Sequence, residues 1–354
     1  MQLLDFQHYP VWLNLMVFAG AAGVVWIAGA KITTYADVLA TRTGLGQAFM
    51  GLLFLAGATS LPELSSVATA GLIGNGALAV SDLLGTLVVN AAILAVADLA
   101  FGAGALTSFA PRAVLLLQGA GVLTPGCLVL AGMATGDRAL LGQVGLWPAL
   151  IFVGYLIFLR FLQQYDEGGG WQAVHVPEAA QETEAAAEER SRRYAHRSTR
   201  TLSLYFAGLS AVILAAGTIL ARSADALIGQ TGLATPTVGV GLLALATSLP
   251  ELSTTVSSVR LGAYSMAVSN VFGSNAFGLA LLFWADVFYR QDAVFTTVTT
   301  VHIFVGAMGL LATAVYLVGI VERKNVAVLR LGIDSLVVLG IYLATLAGLF
   351  LQQP

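Results

Sequence analysis

Ala58-Thr59-Ser60-Leu61-Pro62-Glu63-Leu64-Ser65 and Ala246-Thr247-Ser248-Leu249-Pro250-Glu251-Leu252-Ser253 are the same eight residues written twice, 188 positions apart. The same shift lays Gly29 on Gly217, Asp37 on Asp225, Gly44-Leu45 on Gly232-Leu233, Val80-Ser81 on Val268-Ser269, Gly85 on Gly273 and Asp98 on Asp286, without a gap. Unrelated apolar helices share hydrophobic character but not the positions of their prolines, glycines and acids. The chain is therefore a duplicated unit.

Around the two motifs the chain is too apolar for water. Its 354 residues are 58% hydrophobic and only 10% charged, against about 25% charged in a soluble domain, and the mean hydropathy is +0.85. A bilayer core needs roughly 20 mostly apolar residues per helix. Such windows run near 11–30, 46–73, 79–100, 112–134, 145–163, 201–221, 236–259, 266–287, 297–320 and 331–351. The runs are continuous rather than alternating, which favours helices over a membrane barrel. The expected fold is an all-α polytopic membrane protein of ten transmembrane helices. It comprises a first five-helix repeat over 1–163, a hydrophilic linker over 164–200 and a second five-helix repeat over 201–354. Five spans per copy is an odd number, so the copies cross the membrane in opposite directions, an inverted repeat with a site expected at the midplane between them.

The remaining composition mostly excludes. A net charge of -3 gives no reason to expect nucleic acid, and the single Cys127 makes neither an intrachain disulfide nor a metal cluster. His8, His175, His196 and His302 fall outside the repeat cores, and no obligate protein partner or cofactor is expected. The start Met1-Gln2-Leu3-Leu4-Asp5 lacks a basic stretch, so the first window reads as a helix rather than a signal peptide. The linker passes from Gly168-Gly169-Gly170 through an acidic run to Arg190, Arg192, Arg193, Arg197 and Arg200 and reads as a solvated segment. Placing it in the cytoplasm puts thirteen of the sixteen basic residues on its side, leaving Arg138, Arg222 and Arg290 opposite. That orientation puts both termini outside, in a multi-pass cell (inner) membrane protein.

Glu63 and Glu251 fall inside the second and seventh windows, with no Lys or Arg at comparable depth. A carboxylate in mid-bilayer costs several kcal/mol, about 3 on insertion scales. Such a residue persists where it meets a cation or proton in a cavity. Pro62 and Pro250 interrupt each helix beside the acid and loosen carbonyls near Ala58 and Ala246. Thr59, Ser60, Thr247 and Ser248 add hydroxyls, unless these bond to their own helix. Twenty-seven residues beyond each glutamate come Asn90 and Gly278, with Thr86 and Ser274 one turn earlier on the same faces. The donor set is all oxygen, which suits Ca²⁺ and Na⁺ and disfavours soft metals. Asp37, Asp98, Asp225 and Asp286 lie towards helix ends and read as interfacial or capping residues.

The paired Ser-Leu-Pro-Glu motifs and Gly273-Ser274-Asn275 resemble the two α-repeats of the calcium/cation antiporter superfamily, in particular its prokaryotic sodium/calcium exchangers. That resemblance covers nearly all of both five-helix halves. It implies that Glu63 and Glu251 bind Ca²⁺ directly. It also implies that Ser60, Ser248, Thr86, Ser274 and the carbonyls of Ala56 and Ala244 contribute to Na⁺ positions, with Asn90 as the polar residue of the third span. Gly29 and Gly217 would lie on sliding gate helices. Two positions depart from the family: Gly278 replaces an acidic or amide residue, and Leu87 replaces the first copy's asparagine. The expectation is a two-acid site with a stoichiometry or selectivity unlike the family's. The implied activity is Na⁺/Ca²⁺ exchange by alternating access, with proton/Ca²⁺ or broader cation antiport as the alternative. An intramembrane hydrolase using Glu63 and Glu251 as acid and base and a structural protein with a decayed site are the rivals from other classes.

Overall fold

The computed structural model describes residues 6–102, 104–110, 113–141, 143–167, 178–231, 244–328 and 330–351. Gly232-Leu233 of the repeat, the first third of the 236–259 window, Arg112, His175, Gly168-Gly169-Gly170 and Met1–Asp5 lie outside the described residues. The helices are α1 (Val11–Thr43), α2 (Gly46–Thr59), α3 (Leu61–Leu72), α4 (Gly76–Phe101), α5 (Ala113–Thr135), α6 (Leu146–Glu167), α7 (Glu178–Arg193), α8 (Thr199–Thr231), α9 (Leu249–Arg260), α10 (Tyr264–Phe288), α11 (Thr300–Glu322) and α12 (Ile333–Leu351). Among the described residues eight of them are long and apolar enough to cross a membrane, and the pair α2 and α3, bent by 44°, makes a ninth. The remaining window, the seventh at 236–259, ends in α9. The protein is an all-helical, multi-span membrane protein.

Sequence explains the layers. α4 and α10 carry apolar residues on every side, with their few polar groups buried, and lie at the centre. A helix that is hydrophobic nearly all round belongs in the interior. α1 and α8 are mostly exposed and have 33 residues each, about 50 Å of helix, so they must tilt to fit a hydrocarbon layer of about 30 Å. They pack along one another and cross the broken helices of the opposite copy, α1 on α9 and α8 on α3. Glycine permits both crossings. A Cβ on Gly29 would strike the Ser253 side chain, and one on Gly217 would strike the Pro62 ring.

Two short hairpins were not foreseen: β1 (Ala139–Leu141) with β2 (Val144–Gly145), and β3 (Ala327–Val328) with β4 (Leu331–Gly332). They reveal what Asp98 and Asp286 do. Asp98 accepts the Leu106 and Gly332 N–H groups, both at 2.7 Å. Asp286 accepts those of Val294 at 2.6 Å and Gly145 at 2.5 Å. Each buried carboxylate thus holds the turn following its own helix and, with its other oxygen, the hairpin of the other copy. They are capping residues, as expected, but they cap across the repeat boundary rather than at a wet interface. The crossed pairing also shows that the copies run antiparallel, the end of one core helix meeting the far hairpin of its twin.

The linker is not simply solvated. α7 returns along α1, where Arg190 Nε meets the buried Asp37 carboxylate at 2.7 Å, and Arg42 donates to the Arg197 carbonyl at 2.7 Å. Asp37 is accordingly an ion-pair partner, also accepting from Gln47 Nε2 at 2.7 Å, and not a cap. Its duplicate Asp225 meets only the Gln7 amide, at 3.4 Å, among the hydrogen bonds described for it.

Candidate cation site

Both Ser-Leu-Pro-Glu motifs fold the same way. The helix stops at Ser60 (φ −84°, ψ 5°) and at Ser248 (φ −86°, ψ 4°), and restarts at Leu61 and Leu249 with proline in its first turn. Proline fits there because the first amides of a helix have no carbonyl partner in any case. The next residue, Glu63 or Glu251, then sits at the start of a half-helix, where the exposed amides favour a negative charge. Upstream, Met50–Leu55 widen into a π-helix, an irregularity common where helices serve a site.

The structure brings the two copies together at these acids. Glu63 and Glu251 are fully buried and are electrostatic neighbours. Ser60 of the first copy donates to Glu251 Oε1 of the second at 3.2 Å. Thr86 lies beside Glu63, and Asn90 Nδ2 reaches Asn275 Oδ1 at 3.1 Å. Asn275 in turn donates to the Leu87 carbonyl at 3.4 Å, so Asn90 keeps its own Oδ1 for something else. Leu87, where an asparagine was missed, supplies its backbone instead.

On the two broken helices and the core helices α4 and α10, seven buried oxygens have no hydrogen-bond partner: both of Glu63, Oε2 of Glu251, the hydroxyls of Thr86, Ser248 and Ser274, and Oδ1 of Asn90. Orphaned buried oxygens are costly, and oxygens of this kind are the ligands that hard cations such as Ca²⁺ take. The threonines behave differently. Thr59 donates to the Leu55 and Ala56 carbonyls, and Thr247 to that of Ala244, all at 3.1 Å. The Ala56 and Ala244 carbonyls also accept the amides of Ser60 at 2.9 Å and Ser248 at 3.0 Å. These four residues line the break while holding its geometry together.

A third acid was overlooked. Asp82 of α4 is 2% exposed and both its oxygens lack partners. It precedes Thr86 and Asn90 by one and two turns on one face, within electrostatic reach of Glu63. A third buried carboxylate thus lies near the two motif glutamates. The 188-residue shift lays Asp82 on Asn270, a polar match that would have marked the position. Among the described residues no three Asp, Glu, His or Cys side chains are placed so as to hold one metal ion. At the Gly278 position a Cβ would meet open space.

The profile of the sodium/calcium exchanger protein family matches residues 13–163 and 201–351, the two halves flanking the linker. The chain belongs to that family. Its members are exchangers rather than enzymes, which removes the hydrolase reading, and the chain is a cation/Ca²⁺ antiporter in that broad sense. Inner membrane protein YrbG of Escherichia coli (strain K12) is 24% identical over 268 residues, 75% of this chain and 77% of YrbG. Among solved structures, the sodium-calcium exchanger NCX_Mj soaked with Na⁺ and Ca²⁺ superposes with a TM-score of 0.65 at 16% identity, covering 95% of this chain and 98% of that one. The same protein soaked with Na⁺ alone gives 0.68 at 15% identity, covering 96% and 99%. At such identities the structural likeness speaks for the fold.

Proposed function

We propose that this protein exchanges Ca²⁺ for Na⁺ by alternating access, with Glu63 and Glu251 as the element for which both ions compete. The observation that carries this reading is the meeting of the two motif glutamates across the repeat boundary, amid unpartnered oxygens. Glu63, Glu251, Ser248, Thr86, Ser274 and the Asn90 amide oxygen offer donors to the ions. Ser60 positions Glu251 and, with Thr59, Thr247 and the Ala56 and Ala244 carbonyls, lines the broken helices. A loaded site is near neutral and can be exposed to either side. An empty one retains buried negative charge, which in a low dielectric opposes reorientation, so transport in one direction obliges transport in the other. The α1–α8 pair is the moving part in this scheme, sliding over α3 and α9 at Gly217 and Gly29. The chain functions in the cell membrane with residues 1–163 and 201–354 as its two repeats, the 164–200 linker in the cytoplasm and both termini outside.

Purified protein in vesicles tests this directly. Radiolabelled Ca²⁺ uptake is measured with Na⁺, K⁺ and pH gradients imposed one at a time. Uptake driven by an outward Na⁺ gradient and absent in Glu63→Gln and Glu251→Gln is the expected result. Uptake that follows only a proton gradient would replace Na⁺ by H⁺ as the coupling ion.

A further inference from the structure

The charge at Asp82 distinguishes the two copies. Its duplicate Asn270 is uncharged and held by its amide nitrogen, which donates to the hydroxyls of Thr254 at 2.9 Å and Thr255 at 3.0 Å, while its Oδ1 has no partner. The positions matching those threonines in the first copy are Ser66 and Val67, so one hydroxyl is gone, and the side chain they face is an acceptor with nothing to donate. Ser66 and Thr247 flank the Asp82 carboxylate, yet neither of its oxygens is bonded. A buried ionised group without a partner is among the least favourable arrangements in a protein interior. The described contacts give no basic side chain that offsets it.

Ca²⁺ between Glu63 and Glu251 neutralises two charges and leaves the third, since the three acids are not placed so as to hold one metal ion. Asp82 is displaced by one turn of α4 from Thr86, about 5 Å along the helix. It therefore stands towards the end of α4 that begins at Gly76, and away from the break in α2 and α3. Resting on the exchange reading above, we infer that Asp82, with the hydroxyls of Ser66 and Thr247, forms a separate position for one Na⁺. The fully sodium-loaded protein then holds three Na⁺ on three acids. The Ca²⁺-loaded protein holds Ca²⁺ on the glutamates and one Na⁺ at Asp82.

The test counts sodium ions on the purified full-length protein. Thermal stabilisation is titrated with Na⁺ alone, and Ca²⁺ uptake into vesicles is followed in parallel. In Asp82→Asn, which copies the residue at the duplicated position, the slope of stabilisation against log Na⁺ concentration falls by about one third, from three ions to two. Asp82→Ser gives the same slope should the amide alter folding. An unchanged sodium slope with intact Ca²⁺ uptake would overturn the inference, as would a slope that changes only with pH, which would assign a proton to Asp82. Loss of Ca²⁺ uptake as complete as in Glu63→Gln would overturn it too, making Asp82 a Ca²⁺ ligand. Wild-type protein that responds to neither ion would overturn the exchange reading and this one together, whereas the preceding outcomes leave exchange standing.

Discussion

The two halves agree to within a few degrees at Ser60 and Ser248 and disagree a helix away. On α4 the site-facing run is Asp82, Thr86 and Asn90; on α10 the matching run is Asn270, Ser274 and Gly278. The broken helices have kept their sequence because they set where the two glutamates stand. The core helices have diverged in charge while keeping their packing, Gly273 still pressed against the Leu52 carbonyl. Duplication in this molecule preserves the grip and lets the surrounding charge drift, which teaches that coupling can change without disturbing the fold.

The sharpest way to break the comparison is at the shared element. Glu63→Gln and Glu251→Gln should each lower Ca²⁺ uptake by about 10²-fold or more, the scale of removing one charge from a buried charged set. If one variant lost transport and its twin kept most of it, the two copies would not be equivalent in binding. Next come the two glycines of α10. Gly278→Asp enters open space, so the protein should fold with an unchanged melting temperature and bind Ca²⁺ about tenfold more tightly, a gain of about 1.4 kcal/mol read by calorimetry. Gly273→Ala meets backbone at Leu52 and should cost about 1–3 kcal/mol of stability through overpacking, seen as a lowered melting temperature.

A subtler contrast concerns the crossed clamps. Asp98→Asn and Asp286→Asn each turn one of two acceptors into a donor facing an N–H, which should cost about 1–3 kcal/mol. Hydrogen exchange should rise at Gly332 for the first and at Gly145 for the second. Exchange rising only within the mutated half would break the crossed arrangement. The smallest effect is expected at the Arg190–Asp37 ion pair, which joins the linker to α1. Arg190→Gln should free α7 from α1, raising its hydrogen exchange while moving global stability by about 1 kcal/mol or less, in line with a partly exposed pair.

Much of this was legible in the residues. The apolar windows gave the spans, the 188-residue register gave the inversion, and a buried acid following proline gave the centre of the site. Asp82 was passed over because a lone acid in an apolar run reveals its direction only once α4 is placed against α3. Thr59 and Thr247 bond back to their own helix and also reach the Glu251 and Asp82 carboxylates, a double role that spacing along the chain does not reveal. The docking of α7 escaped notice for a related reason: a charge run looks solvated until a buried partner such as Asp37 stands opposite.

The crossed clamps bear on how the chain is made. A ribosome delivers the first copy well before the second, and at that moment one Asp98 oxygen and the Gly145 amide are without the groups that complete them. Neither copy can finish its own ends, so the early half must wait in the lipid, incompletely tied, until its twin threads in from the opposite direction and each closes the other.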